Sequence, residues 1–174
     1  RISNSKKVAS LESALFQIDQ SLSMPALKRR IHQVEHHRSH LASAFFASPF
    51  KESAIFSIDG SGDFTTTMTG MGRDNGIEVM DSIDFPHSAG IFYTAFTQWL
   101  GFPHYGDEYK IMGLAPYGQA KYTDRLREVL LFKPEGRFRL DLSYFRSPRE
   151  GYISYADHLP VVAQLFSDKL IATF

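Results

Sequence analysis

At 174 residues, 43% hydrophobic and 14% aromatic, the chain can build a core and is too apolar for disorder. A formal net charge of zero removes the electrostatic argument for nucleic acid or an anionic membrane as partner. With no cysteine, disulfides and thiolate ligands are excluded, and His, Asp and Glu remain as metal ligands.

No apolar run approaches the ~20 residues that span a bilayer. The polar, basic start has no secretory pattern, so the cytoplasm is the expected location. Arg1 stands first and the last residues read as mid-helix. A piece of a longer protein is expected: one partial domain over 1–174, with 50–53 as the candidate sub-boundary.

Val8, Leu11, Leu15, Ile18 and Leu22 recur at helical spacing, and Pro25 ends or interrupts that helix. Lys28, Arg29 and Arg30 read as a solvated helix end or a phosphate contact. Residues 31–35 read as a short strand, and 39–46 as a helix that reaches back to His36 and stops near Pro49. Residues 53–58 read as a buried strand and 64–71 as its hairpin partner. After the turn at 73–76, residues 76–83 give a third strand. The three suggest an antiparallel edge of a mixed sheet.

Ser88 is placed to cap a helix running to Leu100, with Gly101 as its stop. Residues 102–118 read as a long loop, and a loop of that length in a compact domain is usually functional. Residues 122–131 read as an amphipathic helix, and 138–140 as a strand after the turn Pro134-Glu135-Gly136. The stretch 141–156 reads as irregular, and 159–174 as a helix. The fold class is α/β.

The chemistry concentrates at two places. His36 and His40, four apart, share one helix face, where two neutral imidazoles can hold one divalent ion. Chance surface pairs have the same spacing. The run 54–58 delivers Asp59 beside a small-residue turn, completing a three-ligand set with open positions. His37 is out of phase and expected to pack or hydrogen-bond, and His32 is expected to be structural. Asp59-Gly60-Ser61-Gly62 also reads as a phosphate cradle, its backbone N–H groups on phosphate and its carboxylate on magnesium, or as an ordinary hairpin turn. Asp107, Glu108 and Lys110 place two carboxylates and an ammonium in the long loop, which reads equally as a solvated charged loop.

Together these stretches resemble the O-carbamoyltransferase family of nodulation-factor and antibiotic biosynthesis. The resemblance rests on Val34-Glu35-His36-His37-Arg38-Ser39-His40, on 42–50, on Asp59-Gly60-Ser61-Gly62-Asp63 and on Pro86-His87-Ser88-Ala89-Gly90-Ile91-Phe92-Tyr93. Its most specific part is 106–118, beginning Gly106-Asp107-Glu108-Tyr109-Lys110. It covers roughly 31–118 and implies an actin-like ATPase (ribonuclease H-like) fold, incomplete here, related to the tRNA threonylcarbamoyl transferases. It further implies a divalent metal (Fe2+, Zn2+, Mn2+ or Mg2+) on His36, His40 and Asp59 beside ATP. Gly60, Ser61, Gly62, Asp107 and Glu108 would hold the nucleotide. Asp63, or a group outside these residues, would serve as base, and Lys110 would hold an anionic oxygen.

The family moves a carbamoyl group from carbamoyl phosphate, through carbamoyl-adenylate, to a hydroxyl of a small-molecule or glycan acceptor. Against that pattern the chain lacks the opening strand and glycine turn, the segment carrying a fourth metal ligand, and the adenylate-forming domain. A tRNA-modifying relative and a non-catalytic interaction module are the alternatives.

Overall fold

The structure is a computed structural model that describes residues 32–156 and 159–174. The helix expected over 8–22, the basic cluster at 28–30 and Ile31 lie outside the described residues. The elements below belong to the compact unit His37–Phe174, with His36 opening its first helix. None of its helices is long and apolar enough to cross a membrane.

Helix α1 spans His36–Phe46 and buries His37, Leu41 and Phe45, three residues four apart on one stripe. Residues 32–35 have no regular structure. The strand expected there needs a pairing partner, and among the described residues none pairs with it.

Strands β1 (Glu52–Gly62), β2 (Thr65–Arg73) and β3 (Gly76–Asp84) form an antiparallel sheet in the order β1-β2-β3. Asp63 and Asp74 take positive φ at the two turns, 54° and 49°. The expectation of a buried β1 is corrected. Ile55 and Ser57 are buried, while Phe56 and Ile58 point the other way and are about half exposed. Leu41 and Phe45 form one small core with Ile55 and Met68, joining residues from both sides of 50–53.

Helix α2 (Ala89–Trp99) is capped by Ser88, whose side chain accepts the Ile91 N–H. Gly101, at φ 95°, follows its end. Beyond it, the expected loop is partly helical: α3 runs Glu108–Leu114, followed by a 3-10 turn at Ala115–Tyr117. No α3 residue is buried, so no apolar periodicity marks it.

Helix α4 (Thr123–Val129) ends earlier than expected. Leu130–Phe132 instead form β4, which pairs with β5 (Phe138–Leu140) across the turn at Pro134–Gly136. The stretch expected to be irregular contains a 3-10 turn at Leu142–Tyr144, α5 (Ser147–Glu150) and β6 (Ile153–Ala156). The helix expected over 159–174 is divided. Leu159–Val162 form β7, paired with β6, and only Asp168–Thr173 form α6.

The larger core gathers Ile91 and Ala95 of α2 with Val129, Leu140, Tyr144, Phe145, Leu165 and Leu170. Gln98 links α2 to this C-terminal part: its Nε2 donates to Ala163 O and its Oε1 accepts from Leu165 N, both at 2.9 Å. The N-terminus of α2 abuts the end of β1.

Candidate metal centre

The end of β1 departs from a regular ladder. Ile58 pairs with Thr67 and Gly62 with Thr65, so Asp59, Gly60 and Ser61 bulge opposite Thr66 alone. What reads in sequence as a small-residue turn is this bulge. Thr66, fully buried, donates to Ile83 O (3.0 Å) and His87 O (2.6 Å), holding the bulge's partner strand.

Ser88 Oγ lies 2.7 Å from Gly60 O and 3.1 Å from Asp59 O. A Cβ on Gly90 would stand 2.6 Å from Gly60 N and 2.7 Å from Asp59 O, so the helix backbone presses directly on the bulge. Gly60 N–H donates to Asp59 Oδ1 at 2.6 Å. Tyr152 reaches the same segment, its hydroxyl donating to Ser61 O at 3.4 Å.

The bulge turns Asp59 toward α1. His40 Nε2 is 3.7 Å from Asp59 Oδ2, with the two side chains 51% and 43% exposed. His36, His40 and Asp59 each offer a ligand atom, and these atoms lie within 4.8 Å of one another. His36 is the first residue of α1, so the helix itself carries it to this face. Donors held tetrahedrally at about 2.1 Å from one ion stand roughly 3.4 Å apart. Two imidazoles and a carboxylate are the donor set that iron, zinc and manganese ions take, and the separations of up to 4.8 Å would close toward this spacing for all three to reach one ion.

His37 faces the opposite way and is fully buried, with Ser57 Oγ 2.8 Å from Nδ1 and Thr65 O 2.9 Å from Nε2. It joins α1 to the sheet directly behind the exposed imidazoles. Its ring lies edge-on to His40 at 6.0 Å between centroids.

The other sequence candidates are distributed differently. Ser61 and Gly62 sit in or beside the bulge. The Gly60 N–H expected to bind phosphate is instead engaged by Asp59. Asp63 stands exposed at the β1–β2 turn.

Asp107 is buried and faces Lys110 Nζ at 2.6 Å, while His104 N–H donates to its other oxygen at 3.0 Å. The Lys110 hydrogen bond is the main reason the Asp107 carboxyl lies below its usual range, and the same bond chiefly raises the Lys110 ammonium. The Lys110 charge expected to meet an anionic oxygen is thus already matched within the chain. Glu108 Oε1 accepts from Thr94 Oγ1, which is also 3.1 Å from Gly90 O. Glu108 therefore connects to the α2 turn that presses on Asp59.

In sequence Ser88 reads as a cap, and Ser88 and Gly90 fall in the Pro86–Tyr93 segment of the resemblance, with no site role for Gly90 or Thr94. The available signal was a second small-residue segment, Ser88-Ala89-Gly90, suited to close approach by another backbone.

An α/β scaffold whose bulged strand end and helix face bring three metal-ligand side chains together defines a candidate metalloprotein. The chain belongs to the carbamoyltransferase N-terminus family, whose match covers residues 10–170. It is 45% identical over 135 residues to the uncharacterized protein sll1178 of Synechocystis, covering 77% of this chain and 21% of that protein. It is 40% identical over 116 residues to nodulation protein NolNO of Sinorhizobium fredii, covering 65% and 17% respectively. Nodulation protein NolO of Bradyrhizobium diazoefficiens is 42% identical over 98 residues, covering 55% and 17%. The chain spans about a fifth of the length of these curated relatives.

Proposed function

We propose that the protein containing this chain is an O-carbamoyltransferase, in which this chain is part of an actin-like ATPase domain carrying a divalent metal site. The observation that supports the metal reading is the approach of His36, His40 and Asp59 within 4.8 Å, in a chain of the carbamoyltransferase N-terminus family. A divalent ion on these three side chains would supply positive charge beside phosphate oxygens. Asp59 is oriented by Gly60 N–H, and the imidazoles are oriented by α1. Ser61 and Gly62 would bring backbone toward the phosphates of ATP. Glu108, held by Thr94, would border the same cleft.

In the parent protein, water would cleave carbamoyl phosphate to carbamate and phosphate, and a carbamate oxygen would then attack the ATP α-phosphorus, breaking its bond to the β-phosphate oxygen and releasing pyrophosphate to leave carbamoyl-adenylate. The acceptor hydroxyl oxygen then attacks the carbamoyl carbon. The bond to the adenylate oxygen breaks, AMP leaves with the electron pair, and the hydroxyl proton passes to a base. Asp63, exposed one residue beyond the bulge, is the carboxylate of this chain proposed for that proton.

The test uses the full-length protein with carbamoyl phosphate, ATP and hydroxylated acceptors. It follows phosphate and pyrophosphate release and the mass of the acceptor. Carbamoylated product that disappears on His40→Ala is expected. The isolated 174 residues are expected to give none, because positioning two reactants supplies roughly 7–11 kcal/mol of barrier reduction that a partial cleft lacks. Undiminished transfer after His40→Ala would overturn the metal reading. Absence of carbamoyl-phosphate-dependent pyrophosphate release would overturn the activity.

A further inference from the structure

We infer that Ser88 and Gly90 are positioning residues for the Asp59 carboxylate, an inference that rests on the metal reading above. Residues in a regular ladder are located by their neighbours across the strand. Asp59, Gly60 and Ser61 lack that support because Thr66 alone stands opposite them. α2 contacts Asp59 and Gly60 of this segment, and Tyr152 reaches Ser61.

Ser88 Oγ is fully buried, and its single proton is shared between Gly60 O at 2.7 Å and Asp59 O at 3.1 Å. The same oxygen accepts the Ile91 N–H at 3.0 Å. One hydroxyl therefore closes the first turn of α2 and ties that turn to the bulge. Gly90 allows the contact to be backbone against backbone, since any Cβ there would come within 2.6–2.7 Å of Gly60 N and Asp59 O.

The consequence reaches the carboxylate through Gly60. Its N–H, held against α2, donates to Asp59 Oδ1 at 2.6 Å, while Oδ2 faces His40 Nε2 at 3.7 Å. The two carboxylate oxygens thus have different tasks: one anchors the group, and the other is presented to the imidazole side. A ligand held in advance loses less freedom when it binds an ion. Removing the Ser88 hydroxyl, or inserting a methyl at Gly90, releases or displaces the peptide that does the holding.

The experiment is Co(II) titration of the metal-stripped full-length protein, read by visible absorption. Ser88→Ala and Gly90→Ala are expected to raise the Co(II) Kd roughly 10–100-fold, as loss of groups that orient metal ligands typically does. They are also expected to change the shape of the Co(II) band. Val129→Ala, a core control, is expected to lower stability while leaving Kd and band shape as in the wild type. Gly90→Ala keeps the cap hydroxyl, so it decides the question if Ser88→Ala does not fold. Unchanged affinity in the folded positioning variants, with loss of binding in His40→Ala, would overturn the inference and leave the metal reading standing. A wild type that binds no Co(II), or binds it equally after His40→Ala, would overturn both.

Discussion

Lys110 Nζ stands 2.6 Å from Asp107 Oδ1, with the ammonium side chain 36% exposed and the carboxylate side chain 7% exposed. The contact makes Lys110 a structural partner before it is anything else. Asp107 titrates below the usual carboxylate range, so its contribution is present above that range and is lost as pH falls through the lowered value. Lys110 titrates above the usual ammonium range, so its contribution is present below that range and is lost as pH rises through the raised value. Lys110→Met is therefore expected to destabilise the protein at neutral pH. Urea midpoints should show the gap from wild type narrowing toward pH 3. A gap that stays constant through the acid range would mean the pair contributes nothing to folding.

His37 is buried with a partner on each ring nitrogen. His37→Leu would keep much of the volume and leave Ser57 Oγ and Thr65 O without these bonds. An unsatisfied buried polar group costs about 1–3 kcal/mol. A destabilisation of at least that size is expected in urea melts, and a loss below about 0.5 kcal/mol would mean water replaces the imidazole.

Much of this architecture is legible along the chain where the signal is local. The run 39–46 reaching back to His36 announces α1, the Asp74-Asn75-Gly76 turn marks a hairpin, and Ser88 marks the start of α2. The misses share a different cause. Leu130 and Leu131 suit a helix or a strand, and only pairing with Arg139 and Leu140 makes them β4. The β7 residues Val161 and Val162 likewise need β6 opposite them. Alternation in β1 puts Ala54, Phe56 and Ile58 on one face and Ser53, Ile55 and Ser57 on the other, so its sequence points the more apolar face inward, opposite to what is found. At the candidate metal centre the histidine spacing is local. The orientation of Asp59 depends on Ser88 and Gly90, about thirty residues later, and no pattern within β1 encodes that contact.

Gly72 is set by packing rather than by a turn. A Cβ there would lie 2.5 Å from Phe45 Cγ and Cδ2, and Phe45 is only 2% exposed. Gly72→Ala is expected to destabilise by about 1–3 kcal/mol, the usual range for overpacking. Phe45→Leu in the same chain should recover part of that loss, because the clash is with the ring. A double-mutant cycle on thermal unfolding measures the coupling, and strict additivity would show that the ring is not the obstacle.

His87 joins the two halves of the described fold's polar framework. Its carbonyl accepts from Thr66 Oγ1 at 2.6 Å, and its Nδ1 accepts the Leu140 N–H at 3.2 Å. An accepting nitrogen must be unprotonated. Burial, and secondarily the charge of Arg139, lowers its pKa from the ordinary 6.5. A lowered histidine pKa means that the unfolded chain binds the proton more readily. Stability from this group is therefore full above the ordinary value and declines as pH falls through it toward the lowered one, by at most about 1.4 kcal/mol per pH unit. His87→Asn keeps an acceptor for the Leu140 N–H and removes the titration. The wild type minus His87→Asn difference in unfolding free energy is expected to fall between pH 7 and pH 5 and to be flat above pH 7.5. A difference that rises on acidification would mean His87 gains, rather than loses, by carrying the proton in the folded state.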